Sequence, residues 1–382
     1  MSKKSIREFD LLCACSGVEL NADRIATIAG WNESALDWDE LLRLSEHHGV
    51  LPLVARSLNA HTTLIPVKVE QSLRSAFDAN LRRSLWFTSE LAQISDQFQK
   101  HRLLAVPYKG PLLAESAYGD VALRNFGDLD FLISPTDFEG ASRSLSELGY
   151  RPSSDLSRAV ERFWLRHGYE RSFDSAAGKY LVELQWALLP RFYAVGLRTE
   201  DLLARSQTAS LGGRQVPSLS PEDTLLVLCL HAAKHLWVRL IWVCDIAETL
   251  RTQTIDWPLL SARASELGIL RIMGVSFWLA QRLLDCRLPE PAQTMINHDP
   301  EVVALGEEFA ARLARCATYD FESTEYFRLI WKLRERRSDQ TRYLWRLAWT
   351  PGEGDLKAVS LPESMFPLYR AVRAARLTRK IL

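Results

Sequence analysis

Apolar positions recur at two different periods along this chain, and the changes of period divide it into three. Over residues 1–100 the spacing is helical. Asp37-Trp38-Asp39-Glu40 has the form of a capping box, in which Asp37 accepts a backbone N–H and Glu40 reaches back to the cap. Trp38, Leu41, Leu42 and Leu44 follow at helical spacing, and Gly49 is the expected stop. A longer helix is predicted from Glu70 to Lys100, with Leu73, Phe77, Leu81, Leu85 and Leu91 as its apolar stripe.

The period then shortens. Leu103-Leu104-Ala105-Val106-Pro107 reads as a buried strand, Gly110-Pro111 punctuates it, and Leu112 to Tyr118 reads as a short helix. Asp128 to Ile133 is a second strand. Ser134-Pro135-Thr136-Asp137 opens a helix to about Leu148, with Gly149 ending it. Tyr169 to Phe173 is a further strand, and Tyr180 to Leu188 a clearer one. In the latter, Val182, Leu184, Trp186 and Leu188 face one way and Glu183 and Gln185 the other. Gly212-Gly213 marks a turn. Ser220-Pro221-Glu222-Asp223 starts a long helix, and the pattern stays helical from there on. The expected architecture is α+β: a small mixed sheet in residues 101–215, flanked by helical regions at 1–100 and 216–382.

Composition changes this picture little. Forty-seven Lys+Arg balance forty-seven Asp+Glu, so no basic excess suggests general nucleic-acid binding. The six cysteines form no C-x-x-C pair and read as buried, reduced thiols. Met1-Ser2-Lys3-Lys4 begins no apolar leader, and no run approaches the ~18 apolar residues of a membrane span, so a cytoplasmic protein is expected.

The chemistry concentrates in the second strand. Asp128 and Asp130 alternate, so both carboxylates project from one face, where they repel each other unless a cation neutralises them. Mg²⁺, with Mn²⁺ as its substitute, is the natural partner of such oxygens when a phosphate substrate completes the shell. A third carboxylate on a neighbouring strand would complete a two-ion site: Glu183 is the first candidate and Asp174 the second. Lys109-Gly110 lies between a strand and a helix, where backbone N–H groups and an ammonium can meet phosphate oxygens. Arg124 precedes the carboxylates, and Gly127 permits close backbone approach.

Tyr108-Lys109-Gly110, Tyr118-Gly119-Asp120, Leu123-Arg124 and Gly127-Asp128-Leu129-Asp130 together resemble the "KG … YGD … LR … GDxDxL" signature of a bacterial nucleotidyltransferase-like family of the DNA polymerase β-type superfamily. The likeness extends to Trp38–Leu58, to His231-Ala232-Ala233-Lys234-His235 with Trp237 and Asp245-Ile246-Ala247, and to Leu361-Pro362 with Leu368-Tyr369 and Arg373. Two departures stand out. The first turn carries Lys109-Gly110-Pro111 where the superfamily usually has Gly-Ser or Gly-Gly, and Gln185 stands where the family often has His.

His231 and His235 share a helix face, but Ala232 excludes the H-E-x-x-H zinc motif. Lys234 and one of these histidines are candidates for contacting phosphate or substrate. Trp237, Trp242, Trp345 and Trp349 are expected in packing roles, Arg334, Arg336 and Arg337 on a solvated face, and residues 369–382 in an amphipathic helix docked on the protein. The resemblance implies a palm that uses Mg²⁺ to transfer a nucleoside monophosphate from a triphosphate to an acceptor hydroxyl. Asp128, Asp130 and Glu183 would hold two ions, and Lys109, Gly110, Arg124 and Gly127 would meet the nucleotide. The acceptor, whether protein, RNA end or small molecule, stays open. The alternatives are a D-x-D glycosyltransferase and a non-catalytic palm that binds a nucleotide or partner.

Overall fold

In the computed structural model, residues 3–20, 24, 26, 28, 36–59, 65–175 and 181–381 are described. Helices α1 (Lys3–Cys15), α2 (Trp38–His47) and α3 (Leu51–Asn59) lead to the long α4 (Val67–Lys100). The α/β unit follows as β1 (Ala105–Pro107), α5 (Gly110–Tyr118), β2 (Asp128–Ile133), α6 (Phe138–Glu147), β3 (Arg151–Pro152), α7 (Arg158–His167), β4 (Glu170–Asp174), β5 (Leu181–Gln185) and α8 (Thr199–Ala204). A hairpin, β6 (Gln207–Leu211) and β7 (Arg214–Ser218), closes the unit. The rest is helical: α9 (Pro221–Lys234), α10 (Leu240–Thr252), α11 (Trp257–Leu267), α12 (Leu270–Leu284), α13 (Glu290–Asn297), α14 (Glu301–Ala314), α15 (Thr324–Lys332), α16 (Arg337–Trp349), α17 (Glu353–Ala358) and α18 (Tyr369–Ile381). The architecture is α+β, as the periodicity predicts. No helix among the described residues is long and apolar enough to cross a membrane.

The main sheet has the order β1-β2-β5-β4-β3, with β2 and β5 parallel and the other pairs antiparallel. Alternation gives its two faces different work. Leu129, Phe131, Ile133, Val182 and Leu184 point into a core that α4 and α6 cover with Phe87, Phe98 and Phe138. Phe98 meets Phe131 edge to face. The opposite face carries the acids and remains open. The N- and C-terminal helices share a second core, in which Leu12, Leu44 and Val54 pack with Leu226, Val243 and Phe277. His48 joins them further: its carbonyl accepts from the Ile241 N–H, and its Nδ1 from the Leu240 N–H.

Several local expectations change. Asp37 does cap α2, accepting from the Glu40 N–H at 3.0 Å. The reciprocal half of the box is absent: Glu40 pairs with Arg43, and the Asp37 N–H donates to Glu8 instead. Leu85 is 54% exposed, against the predicted stripe of α4. Steps of four residues advance ~40° beyond a full turn each, so by Leu85 the row from Leu73 has rotated off the buried face. Ser84, Phe87 and Leu91 occupy that face instead. The strand predicted to Leu188 ends at Gln185, because the N–H groups of both Trp186 and Ala187 turn to the Tyr169 carbonyl. Tyr180 lies outside the described residues. The Gly212-Gly213 turn, with both residues at positive φ, joins two strands that the sequence pattern did not mark.

Arg334 is buried rather than solvated, held by the Leu267 carbonyl and facing Asp339. Trp237 and Trp242 pack as expected. Trp345 and Trp349 do not: they are 64% and 45% exposed, because α16 buries Tyr343 and Leu347 on the opposite side. Tyr369 and Arg373 dock α18 on the protein. All six cysteines are free thiols, four of them buried.

One buried ion pair fixes the loop before β2. Arg124 donates to both oxygens of Asp245 on α10, at 2.7 and 2.8 Å, and the Tyr118 hydroxyl donates to the same carboxylate. Asp245→Ala would leave the guanidinium buried and uncompensated. Urea unfolding of that variant is expected to show a loss of about 3–5 kcal/mol; a loss below about 1 kcal/mol would contradict a locking role.

Candidate active site

The open face of the sheet is built by register. Asp130 on β2 lies directly opposite Glu183 on the parallel β5, and Asp128 opposite Leu181. On the other flank, β4 places Ser172 beside Glu183 and Glu170 beside Gln185. Asp128, Asp130, Glu183, Gln185 and Glu170 therefore share one face. They floor a cleft of about 1050 Å³ whose lining includes Phe321 from the turn before α15, Lys357 from α17 and Tyr369 from α18. Asp174, the second candidate for a third acid, lies two strands from Asp128 and does not line this cleft.

A continuous hydrogen-bond chain holds the acids. The Tyr108 hydroxyl donates to Gln185 Oε1 at 2.7 Å, which orients the amide. Gln185 Nε2 then donates to Asp130 Oδ1 at 2.8 Å and to Glu183 Oε2 at 3.0 Å. One amide nitrogen thus joins carboxylates from two strands. Lys109 Nζ lies 3.0 Å from Asp130 Oδ2 and 3.4 Å from His231 Nδ1. Lys109 caps α5, and Gly110 follows at φ +60°, a conformation that suits glycine and turns the chain across β2.

The acids outnumber the cations that face them. Burial, together with Asp130, Glu170 and Asp128, pushes Glu183 up to about 8. Burial and Asp130 push Asp128 up to about 6. Burial would lower Lys109, but Asp130 and Asp128 outweigh it and keep the ammonium charged. Burial drives His231 and His235 well below the usual imidazole range, assisted by the neighbouring lysines, so both are neutral. Burial lowers Lys234 too, against the pull of Glu170. Oxygen donors in excess of positive charge on a rigid floor suit a hard divalent ion. Asp128, Asp130 and Glu183 are the residues that could hold it.

The remaining sequence candidates fall in three groups. Lys234, His231 and His235 line the cleft. Lys234 Nζ sits over the Tyr169 ring at 4.4 Å, and the His235 ring packs tilted against Trp242 and edge-on to Phe321. Arg124 is absent from the cleft lining; its guanidinium is bound to Asp245, so it braces the floor from behind. Gly127 is exposed, and a Cβ added there would meet nothing within 4 Å, so packing in the protein does not require its small size.

Sequence reasoning passed over Tyr108 and Glu170, and read Gln185 only as a missing histidine. Glu170 was legible: alternation along the strand predicted at Tyr169–Phe173 sets it on the face opposite Phe173. Tyr108 carried no such signal, because its role depends on the antiparallel pairing of β1 with β2. Among the described residues, the group of three His, Cys, Asp or Glu side chains whose ligand atoms lie within 4.8 Å of one another is His47, His48 and Cys316 rather than the acids of the floor. Because His48 Nδ1 accepts a backbone N–H, the proton sits on Nε2, the nitrogen facing Cys316. That tautomer does not suit metal ligation.

A mixed sheet with paired acids on its open face, beside a strand-to-helix turn that carries a lysine, fits the nucleotidyltransferase class. A family model described as an uncharacterised nucleotidyltransferase matches residues 34–285, well over half of the chain and every acid of the floor. The chain belongs to that family. No curated protein and no solved structure matches it.

The acid cluster has a consequence for stability. In an unfolded chain both acids titrate near ~4. The fold retains their protons up to about 6 for Asp128 and about 8 for Glu183. Between these limits the folded state binds more protons at these two acids than the unfolded one, so their contribution to stability falls as pH rises. The buried neutral histidines pull the other way below their unfolded value of ~6.5. The acid's part is therefore read as the difference in urea-unfolding stability between wild type and Glu183→Gln, in chelator, which is expected to fall from about pH 5 to pH 8.5. A difference that rises over the range would contradict the Glu183 shift.

Proposed function

We propose that this protein transfers a nucleoside monophosphate from a triphosphate to an acceptor hydroxyl with Mg²⁺, releasing pyrophosphate. The observation that carries the reading is the register of Asp130 against Glu183 with Asp128 beside them, on the floor of a cleft large enough for a nucleotide and a second molecule. Family membership supports the reaction class. A divalent ion pair bound there supplies Lewis-acid stabilisation of the attacking and leaving oxygens.

The chain's own groups do the rest. Lys234 lines the cleft, and no ion pair engages it among the described residues, so its ammonium is available to the triphosphate. Its position over the Tyr169 ring partly offsets the cost of its burial. His231 and His235, being neutral, offer hydrogen bonds rather than charge. Glu183 or Asp130, ionised once a divalent ion neutralises the floor, would take the proton of the acceptor hydroxyl. Gln185 keeps Glu183 and Asp130 oriented at any pH, because an amide does not titrate. The glycosyltransferase alternative needs a nucleotide-binding α/β unit before the D-x-D strand; the described residues before β1 are helical.

The test is incubation with each α-labelled triphosphate and Mg²⁺, alone and with cell lysate, followed by detection of labelled product and pyrophosphate. Asp128→Asn, Asp130→Asn and Glu183→Gln are each expected to slow transfer on the order of 10³-fold, the worth of several kcal/mol of charge stabilisation. Full activity in any of the three would remove that residue from the site. Lys234→Met should weaken triphosphate binding by about 1.5–3 kcal/mol, the range for a charge-assisted hydrogen bond. An unchanged Kd by calorimetry would place Lys234 outside the phosphate site.

A further inference from the structure

Asp130 already has a cation. The residue is 4% exposed, and each carboxylate oxygen has a donor: Gln185 Nε2 at Oδ1 and Lys109 Nζ at Oδ2. The two donors differ in kind. Gln185 is neutral and is anchored from the other side by the Tyr108 hydroxyl. Lys109 brings a full positive charge to the acid that faces Glu183 across the strands. A divalent ion shared by Asp128, Asp130 and Glu183 would stand within a few ångströms of that ammonium, where like charges repel strongly in a partly dehydrated site. Both cannot occupy the floor. Lysine is the mobile one, a point charge on a flexible four-carbon stem. Lys109 roots that stem at the N-cap of α5, on the border of the cleft.

Resting on the nucleotidyltransferase reading, we propose that Lys109 is a substrate-binding residue that makes divalent-ion binding conditional on the triphosphate. Without nucleotide, the ammonium neutralises Asp130 and opposes the ion. With nucleotide, the phosphate oxygens give the ammonium new acceptors, it leaves Asp130, and the ion takes its place between the acids. Gln185 stays in position throughout and keeps Asp130 and Glu183 aligned during the exchange. The acid cluster is then never left without positive charge, and the ion and triphosphate arrive together.

The expected signature is opposite effects in one variant. Binding of Mn²⁺ alone, followed by the electron paramagnetic resonance of the free ion, should be about fivefold or more tighter in Lys109→Met than in wild type, because one opposing charge is gone. Binding of the Mn²⁺ complexes of the α,β-methylene analogues of ATP, GTP, CTP and UTP, followed by tryptophan fluorescence, should be about tenfold or more weaker for the analogue that wild type accepts. If Mn²⁺ alone binds more weakly to the variant, or equally, Lys109 merely holds the acids in place and the inference fails while the transferase reading stands. If wild type binds none of the four complexes, the transferase reading fails and this inference with it. A crystal of the wild-type Mn²⁺–analogue complex gives a check independent of any variant. Nζ of Lys109 on a phosphate oxygen is expected; Nζ still on Asp130 would overturn the exchange.

Discussion

Mutual repulsion among carboxylates is the constraint around which this molecule is arranged. Parallel pairing of β2 with β5 puts Asp130 opposite Glu183, and antiparallel pairing of β5 with β4 adds Glu170 to the same face. Left alone, such a floor would splay or take up protons. The surrounding structure limits both. Tyr108 and Gln185 clamp the geometry with neutral hydrogen bonds, and Lys109 supplies charge. The aromatic core on the far side of the sheet, with Phe98 against Phe131 and Phe138 against Trp186, keeps the strands from moving apart. Burial first, and the repulsion that remains second, raise the affinities of Glu183 and Asp128 for protons.

The flanking helices extend this arrangement. Asp245 on α10 holds Arg124, and through it the loop that enters β2. The end of α9 carries His231, Lys234 and His235 to the cleft. The C-terminal segment also lines the cleft, with Tyr369 and the buried Arg373 anchoring it. Among the described residues, the N-terminal helices contribute none to the cleft; they share a core with α9, α10 and α12, and so support the wall that delivers Lys234.

What the sequence disclosed follows from the range of each interaction. Alternation along a strand is local, so the facing of Asp128 with Asp130, and of Glu183 away from Val182 and Leu184, could be read directly. Strand order is not local, yet Asp130 and Glu183 fall in register because both sit near the middle of short strands. Arg124 looked like a phosphate ligand because its neighbours in sequence are the site; its partner, Asp245, is 121 residues away. Gln185 looked like a deficit because its value lies in two partners on different strands. Leu85 and Arg334 were misplaced for the same kind of reason: burial depends on which distant element covers a helix face, and spacing alone does not say.

The central claim is that Asp128, Asp130 and Glu183 hold divalent ions together with a triphosphate. Anomalous diffraction at the manganese edge, from crystals grown with Mn²⁺ and a non-hydrolysable triphosphate, tests it most directly. The account predicts peaks between these three carboxylates and the phosphate oxygens. Peaks elsewhere, or a nucleotide bound with no ion on the acids, would contradict it.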